Sequence, residues 1–381
     1  MSRHPHPRLT VFRKEPLMRA IAATGVSPVG LGIGFFLSVS LTLSVWASLS
    51  EPLKVGPSYV SYFDNISWSI SMVFLFPFVV SLTLKYYLEI PILFDFILHK
   101  TDQSHKNLYE FYTWLDRRFN SYWVSGAALA LAIGLNVIYF YQIFQHQGFP
   151  DWITSGELLG FLSTQGRGLT TVGLYAALIQ TVLVYWILNL LWRGAVLAWG
   201  LHELFDKRNY PVKIRPLHPD HCCGLRKIGD VAMLLNLTLF VLGIYVSLKV
   251  IDKIVIQNSS LGEDIGNPIM LGGYLIIAPL LFFFPLGAAH RQLNDAKERF
   301  LEPVNQKCER LFSELVDVTL DDKGFTAVQA FSALDTAITR LHKEIPVWPF
   351  DFRSLQAFAG TIVIPILPIV LPFAIKLIFG K

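Results

Sequence analysis

The residues best suited to chemistry in this sequence lie in one short polar stretch, Pro216 to Leu225. The stretch contains two imidazoles, one carboxylate and two thiols, and zinc or another soft cation binds such groups. The predicted ligands are His218, Asp220, His221 and Cys222. These residues are crowded together, and no second ligand pair follows at the spacing of a zinc finger. A zinc site here would therefore need a further ligand from elsewhere, such as His202 or Cys308.

The same stretch also fits a purely structural loop. Pro219 and Asp220 favour a turn, and Asp220 is suited to cap the helix that follows. The stretch resembles a His-Pro-Asp-x-x-Gly-Gly-Leu loop of uncharacterised bacterial multi-pass membrane proteins. The matching residues are His218, Pro219, Asp220, Gly224 and Leu225, and Cys223 replaces the first glycine of that motif. The resemblance implies a shared loop structure and no particular activity.

A second distinctive pattern is the proline triplet Pro365, Pro368 and Pro372 in the last apolar segment. Each proline lacks an N–H group and crowds the carbonyl four residues earlier, so the carbonyls of Thr361 and Ile364 lose their helical partners. An unpaired carbonyl in lipid is costly, and this helix must lie against protein or beside water. Two interpretations stay open: a broken helix that lines a pore, or a kink that serves packing.

Apolar segments of about 20 residues, long enough to cross roughly 30 Å of hydrocarbon, determine the predicted fold. Of the 381 residues, 53% are hydrophobic and 16% are charged, against roughly 25% charged in soluble domains. The sequence therefore predicts an all-α, polytopic transmembrane helix bundle of about seven spans. The predicted spans are Val29–Ser48, Ile66–Leu84, Tyr122–Phe144, Val172–Leu191, Val231–Val250, Met270–Ala289 and Leu355–Ile378.

Basic residues predict the orientation of these spans. If the N-terminus is cytosolic, 26 of the 32 Lys and Arg residues fall in cytosolic segments, as the positive-inside rule requires. Seven spans then place the C-terminus outside, and we expect a bacterial inner (plasma) membrane. The scattered basic residues provide no surface for nucleic acid. Three cysteines are too few for a disulfide framework.

Two further expectations concern the interior of the spans. Small residues four apart, Gly30 with Gly34 and Gly126 with Ala130, predict close contacts between helices. Arg193 lies at the cytosolic end of the fourth predicted span, where its side chain is expected to reach the membrane surface. No acidic or basic residue falls near the centre of a span, which disfavours a proton relay.

The segment before the last span predicts a cytosolic helical hairpin. Apolar residues alternate at spacings of three and four, which is typical of a coiled-coil seam. The seam residues are Phe331, Leu334, Ile338, Leu341 and Ile345. The predicted domains are 1–289, the bundle of spans one to six; 290–345, the hairpin; and 346–381, an interfacial segment with the seventh span.

Three functions follow from this layout. The leading hypothesis is a gated channel or conduit formed by a homo-oligomer, since a proline-broken span follows a hairpin that could assemble subunits. The layout is similar to that of insect chemoreceptor-type channels, without matching motifs. The first alternative is a non-conducting membrane sensor or scaffold whose hairpin binds a cytosolic protein partner. The second is a membrane metalloenzyme that uses the His218–Cys223 loop. Apart from that loop, no residue pattern indicates an enzyme.

Overall fold

The computed structural model of the protein describes residues 21–50, 65–98, 105–145, 170–207, 220–251, 266–316 and 322–379, except residues 22 and 221. Every regular element within these ranges is a helix. The helices are α1 (Pro28–Phe35, Phe36–Leu41 and Thr42–Ser50), α2 (Ile66–Ile70, Ser71–Leu75 and Phe76–Leu98), α3 (His105–Phe119), α4 (Tyr122–Gln145), α5 (Thr171–His202, continued by Glu203–Lys207), α6 (Arg226–Ile251), α7 (Gly266–Val316), α8 (Asp322–Glu344) and α9 (Phe352–Phe379).

Three of the apolar helices begin at a polar cap. The side-chain oxygens of Ser27, Asn65 and Thr170 accept hydrogen bonds from backbone N–H groups three residues ahead. The first N–H groups of a helix have no partner within the helix, and such caps satisfy one of them. The helical register of α1, α2 and α5 is therefore fixed where each helix starts.

Six helical stretches are long and apolar enough to cross a membrane. They are Pro28–Leu49, Ser67–Ile97, Glu110–Tyr141, Thr171–Phe205, Arg226–Ile251 and Leu271–Ser313. Large apolar side chains are exposed on five of these stretches, all except Arg226–Ile251; Trp123, for example, is 89% exposed. So extensive an exposed apolar surface is rare on monomeric soluble proteins and suits lipid. By length and composition, the helices fit an integral, multi-pass membrane protein.

The seventh predicted span corresponds to α9, a helix of 28 residues. Its described side chains end at Leu367, and the apolar part up to that residue is shorter than the six stretches above. The number of spans, the orientation of the chain in the membrane and the cytosolic hairpin therefore stay predictions.

Helices α2 and α6 form the centre of the bundle. In the most apolar part of each, 61% of the residues of α2 and 56% of those of α6 are buried, against 17% in α1. Helix α6 packs against α2, α7 and α9, while α5 packs against α4 and α7. In the part of the chain that the structure describes, the most buried packing is therefore that of α2 and α6 with their neighbours.

The predicted small-residue contacts are wrong in position. A Cβ added at Gly34 or Gly126 would meet no heavy atom within 4 Å, so none of the described helices approaches them closely. The close approach is at Gly32 instead, where an added Cβ would lie 3.0 Å from the carbonyl oxygen of Pro77 and 3.1 Å from the Cβ of Ser81. The face of α1 that carries Gly32 packs against α2.

Helix α7 is one continuous helix of 51 residues, in spite of Pro279, Pro285 and Pro303. At 1.5 Å per residue it is roughly 77 Å long, more than twice the thickness of the hydrocarbon layer.

Helix α8 lies beside the second half of α7 and runs in the opposite direction. The rings of Phe312 and Phe331 are 5.7 Å apart, and Lys297 Nζ donates to the carbonyl of His342 at 2.7 Å. We call residues 290–316 together with α8 the arm.

Candidate functional site

The polar stretch singled out in the sequence is a tight turn that leads into α6. We call residues 220–225 the entry loop. The Oδ1 atom of Asp220 accepts hydrogen bonds from the backbone N–H groups of Cys222, at 3.0 Å, and Gly224, at 2.9 Å. Cys223 and Gly224 both have positive φ angles, 53° and 82°. A left-handed backbone favours glycine, so Gly224 suits its position and Cys223 adopts a conformation that is uncommon for a residue with a side chain.

The two cysteines of the entry loop are buried. The Sγ atom of Cys223 donates to the carbonyl oxygen of Pro346 at 3.5 Å. Burial, reinforced by the nearby Asp220 carboxylate, raises the pKa of Cys222 to about 12 and that of Cys223 to about 11. Both thiols are therefore protonated at neutral pH.

The predicted zinc site stays a prediction. His218 and His221 lie outside the described residues, while the Asp220 carboxylate is engaged in the turn and Cys222 is buried. In the part of the chain that the structure describes, no three His, Cys, Asp or Glu side chains are grouped so that they could hold a metal ion. Of the proposed helper residues, His202 accepts through Nδ1 a hydrogen bond from Arg291, at 3.2 Å.

The segment that connects α8 to α9, residues 345–351, is fixed on two sides; we call it the link. The His290 ring of α7 stacks on Trp348 with centroids 4.1 Å apart, and His290 Nδ1 donates to the carbonyl of Val347 at 2.6 Å. On the α6 side, a Cβ added at Gly229 would lie 2.3 Å from the carbonyl oxygen of Pro349. Only glycine allows so close a backbone approach.

Helix α9 then begins with a carboxylate cap. Asp351 Oδ1 accepts hydrogen bonds from the backbone N–H of Ser354, at 2.9 Å, and from its hydroxyl, at 2.8 Å. These hydrogen bonds, assisted by the charge of Arg226, lower the pKa of Asp351. The entry loop, the link and His290 therefore form one connected unit, which we call the junction.

The proline-rich helix α9 is held by polar groups of α6 and α7. Pro365 leaves the carbonyl of Thr361 without a helical partner, and the Tyr274 hydroxyl donates to this oxygen at 2.6 Å. The Ser247 hydroxyl donates to the carbonyl of Pro365, and Asn236 Nδ2 donates to the Thr361 hydroxyl at 2.5 Å. The freed carbonyl predicted from the sequence therefore has a protein partner.

The opposite face of α9 is open. Ile364 is exposed, as are Val363 and Leu367. The side chains of Pro368 and Pro372 lie outside the described residues.

The predicted seam of the hairpin lies between α7 and α8. Phe331, Leu334, Ile338 and Leu341 are half-buried, Ile345 is buried, and the described residues between them on α8 are exposed. Not every apolar side chain of the arm is covered: Phe312 is 57% exposed. The seam is therefore only partly covered within the chain.

One buried charge was misjudged from the sequence. The side chain of Arg193 does not extend to the surface of the protein; the residue is 2% exposed, and its guanidinium carbon lies 4.1 Å from the centre of the Tyr87 ring. Another charged contact joins Lys227 to Glu89 at 2.6 Å. Both contacts connect residues far apart in the chain, so no local spacing could have indicated them.

These observations define a class: an all-helical protein whose helices fit a multi-pass membrane protein, with a long arm connected to the bundle through the junction. No protein-family model, curated protein or solved structure matches the chain.

Proposed function

We propose that the protein is a non-conducting membrane sensor or scaffold whose arm binds a cytosolic protein partner. The observation that carries this proposal is the continuity of α7, which passes from the bundle into the arm without a break. One continuous helix thus connects the bundle to the arm. A partner bound to the arm would therefore act on the bundle directly.

The junction supports such a coupling. Helix α8 returns to the link, and the link contacts α7 through His290 and α6 through Gly229. Cys223 adds a contact between the entry loop and Pro346. Movement of α8 relative to α7 would pull on the link, and the link would shift the starts of α6 and α9 together.

The arm also offers a surface for a partner. Phe300, Phe312 and Val328 are exposed large apolar side chains on α7 and α8. In the predicted orientation, these residues lie beyond the membrane and no lipid covers them. Exposed apolar groups outside the bilayer are typical of protein interaction sites.

A gated channel is the second proposal, and the open face of α9 is the feature that favours it. Val363, Ile364 and Leu367 are exposed in the single chain, so a ring of copies would cover this face. The inner face gives the channel less support, because Tyr274 and Ser247 occupy the carbonyls that a water path would need.

Crosslinking distinguishes the two proposals. A photoreactive amino acid at Val328 of the full chain, in its native membranes, is expected to capture one soluble protein. The matched control is Thr336, an exposed polar position on the same helix, which should capture far less of it. Equal capture at both positions, or none, would contradict the scaffold. Capture of a second copy, with unitary currents from purified protein in planar bilayers, would establish the channel.

A further inference from the structure

A cation is held between two indoles at the end of α3. The guanidinium carbon of Arg118 lies 3.9 Å from the centre of the Trp199 ring and 5.0 Å from that of Trp114. The two indoles are 5.7 Å apart and nearly perpendicular, at 85°. Trp192 Nε1 donates to the Arg118 carbonyl at 3.2 Å, which fixes the backbone as well. The position of this side chain is therefore set by three tryptophans on two helices.

The guanidinium has no acidic partner in the part of the chain that the structure describes. The neighbouring carboxylate of Asp116 accepts a hydrogen bond from Asn120 Nδ2 at 2.7 Å instead. Stacking uses the faces of a guanidinium and leaves the N–H donors at its edge available for a planar, two-pronged acceptor. Arg118 is half-buried and Trp199 is 37% exposed, so a ligand can reach both side chains from outside the protein. The arrangement is therefore a preorganised donor set for which the described residues provide no acidic acceptor.

The residues around Arg118 are of the types that lie at a membrane surface. Helix α3 is amphipathic: Phe111 and Leu115 are buried, whereas Arg117 is exposed. Helix α4 follows directly and begins with the exposed aromatic residues Tyr122 and Trp123. Amphipathic helices and aromatic belts of this kind lie at the level of the lipid headgroups.

We propose that Arg118, Trp114 and Trp199 bind the phosphate of an anionic phospholipid. Arginine and phosphate form paired, charge-assisted hydrogen bonds. A lipid fits better than a soluble phosphate because the exposed rings of Tyr122 and Trp123 would lie beside its acyl chains. The basic residues on the same predicted cytosolic side would attract anionic headgroups in general, whereas the two indoles position one of them.

The test uses the purified full chain in a neutral detergent. Phosphatidylglycerol is titrated against the thermal unfolding temperature, and native mass spectrometry counts the lipids that stay bound. Arg118→Gln is expected to weaken the affinity about tenfold to a hundredfold, the range of one or two charge-assisted hydrogen bonds. Arg117→Gln, which removes the same charge from the next and exposed residue, should leave the affinity nearly unchanged.

Three further measurements make the outcome decisive. Arg118→Lys keeps the charge but not the planar donor pair, so it is expected to lose most of the affinity. Trp199→Leu keeps the arginine and should also weaken binding, which covers the case in which Arg118→Gln does not fold. Equal losses in Arg117→Gln and Arg118→Gln would overturn the proposal. A thermal shift of the same size with inorganic phosphate or glycerol phosphate would overturn the assignment to a lipid.

Discussion

The contact of α9 with α6 and α7 and the contact between α7 and α8 differ in what fills them. The first contains buried hydrogen bonds to α9, donated by Asn236, Ser247 and Tyr274. The second is a partly covered apolar seam, with one described ring pair, Phe312 and Phe331. Both involve α7, so the same helix takes part in two kinds of packing along its length.

The difference follows from the solvent that each contact requires. In lipid, burial of apolar side chains contributes little to the association of helices, because the lipid tails are equally apolar. Close packing and interhelical hydrogen bonds stabilise the contact instead. In water, burial of an apolar seam is itself stabilising, at about 25 cal/mol per Å². The α9 contact is therefore suited to the membrane, and the arm to water. We expect the arm to open at a lower free energy than the bundle.

The largest effect is expected at the closest backbone approach. In Gly229→Val, the added side chain would collide with the carbonyl oxygen of Pro349, 2.3 Å from the new Cβ. Since neither backbone can easily give way, the free energy of unfolding should fall by about 3 kcal/mol. Thermal unfolding in detergent measures this change. Gly287→Val on α7 is the control, because nothing lies within 4 Å of its added Cβ; equal losses would contradict the prediction.

The next effect concerns the freed carbonyl. Tyr274→Phe removes the donor to the Thr361 oxygen, and the free energy of unfolding should fall by about 1 kcal/mol. In Pro365→Ala, the new backbone N–H can pair with the same oxygen. The loss caused by Tyr274→Phe should therefore shrink in the Pro365→Ala background. Tyr141→Phe, at an exposed tyrosine, serves as the control. If Tyr274→Phe lowers the free energy of unfolding equally with and without Pro365→Ala, the hydroxyl does not stabilise the protein by pairing with the Thr361 oxygen.

A smaller and more local effect is expected in the arm. Leu334→Asp with Leu341→Asp places two carboxylates in the half-buried seam, at a cost of about 1 kcal/mol each for the lost apolar burial. Amide hydrogen exchange in α8 should accelerate while the unfolding temperature of the bundle stays unchanged. Ser332→Asp with Thr339→Asp has the same spacing on the exposed face. This control should change neither the hydrogen exchange of α8 nor the unfolding temperature of the bundle. A fall in bundle stability would show that the arm is not an independent unit.

The sequence predicted the local features and missed the long-range ones. Hydropathy indicated the apolar helices, and the proline triplet indicated that the Thr361 carbonyl would need an outside partner. The sequence did not indicate that Tyr274 would supply it, because 87 residues separate the two. For the same reason the stacking of Arg193 on Tyr87 was missed. Gly30 and Gly34 were chosen by spacing alone, whereas the face of α1 that meets α2 carries Gly32.

The last prediction leaves the chain unchanged and compares the two regions through their own cysteines. Cys222 and Cys223 are buried at the junction, whereas Cys308 is half-buried on the arm. Alkylation requires the thiolate. Because the pKa values of the first two are raised to about 12 and 11, both stay protonated up to about pH 10. A maleimide reagent at pH 7 should therefore modify Cys308 first.

Raising the pH to about 9 should leave Cys222 and Cys223 protected from the reagent until the protein unfolds, as peptide mass spectrometry can show. A chelator should not change their rate of labelling. Faster labelling of Cys222 after chelation would instead mean that a metal ion protects it, and would support the predicted zinc site.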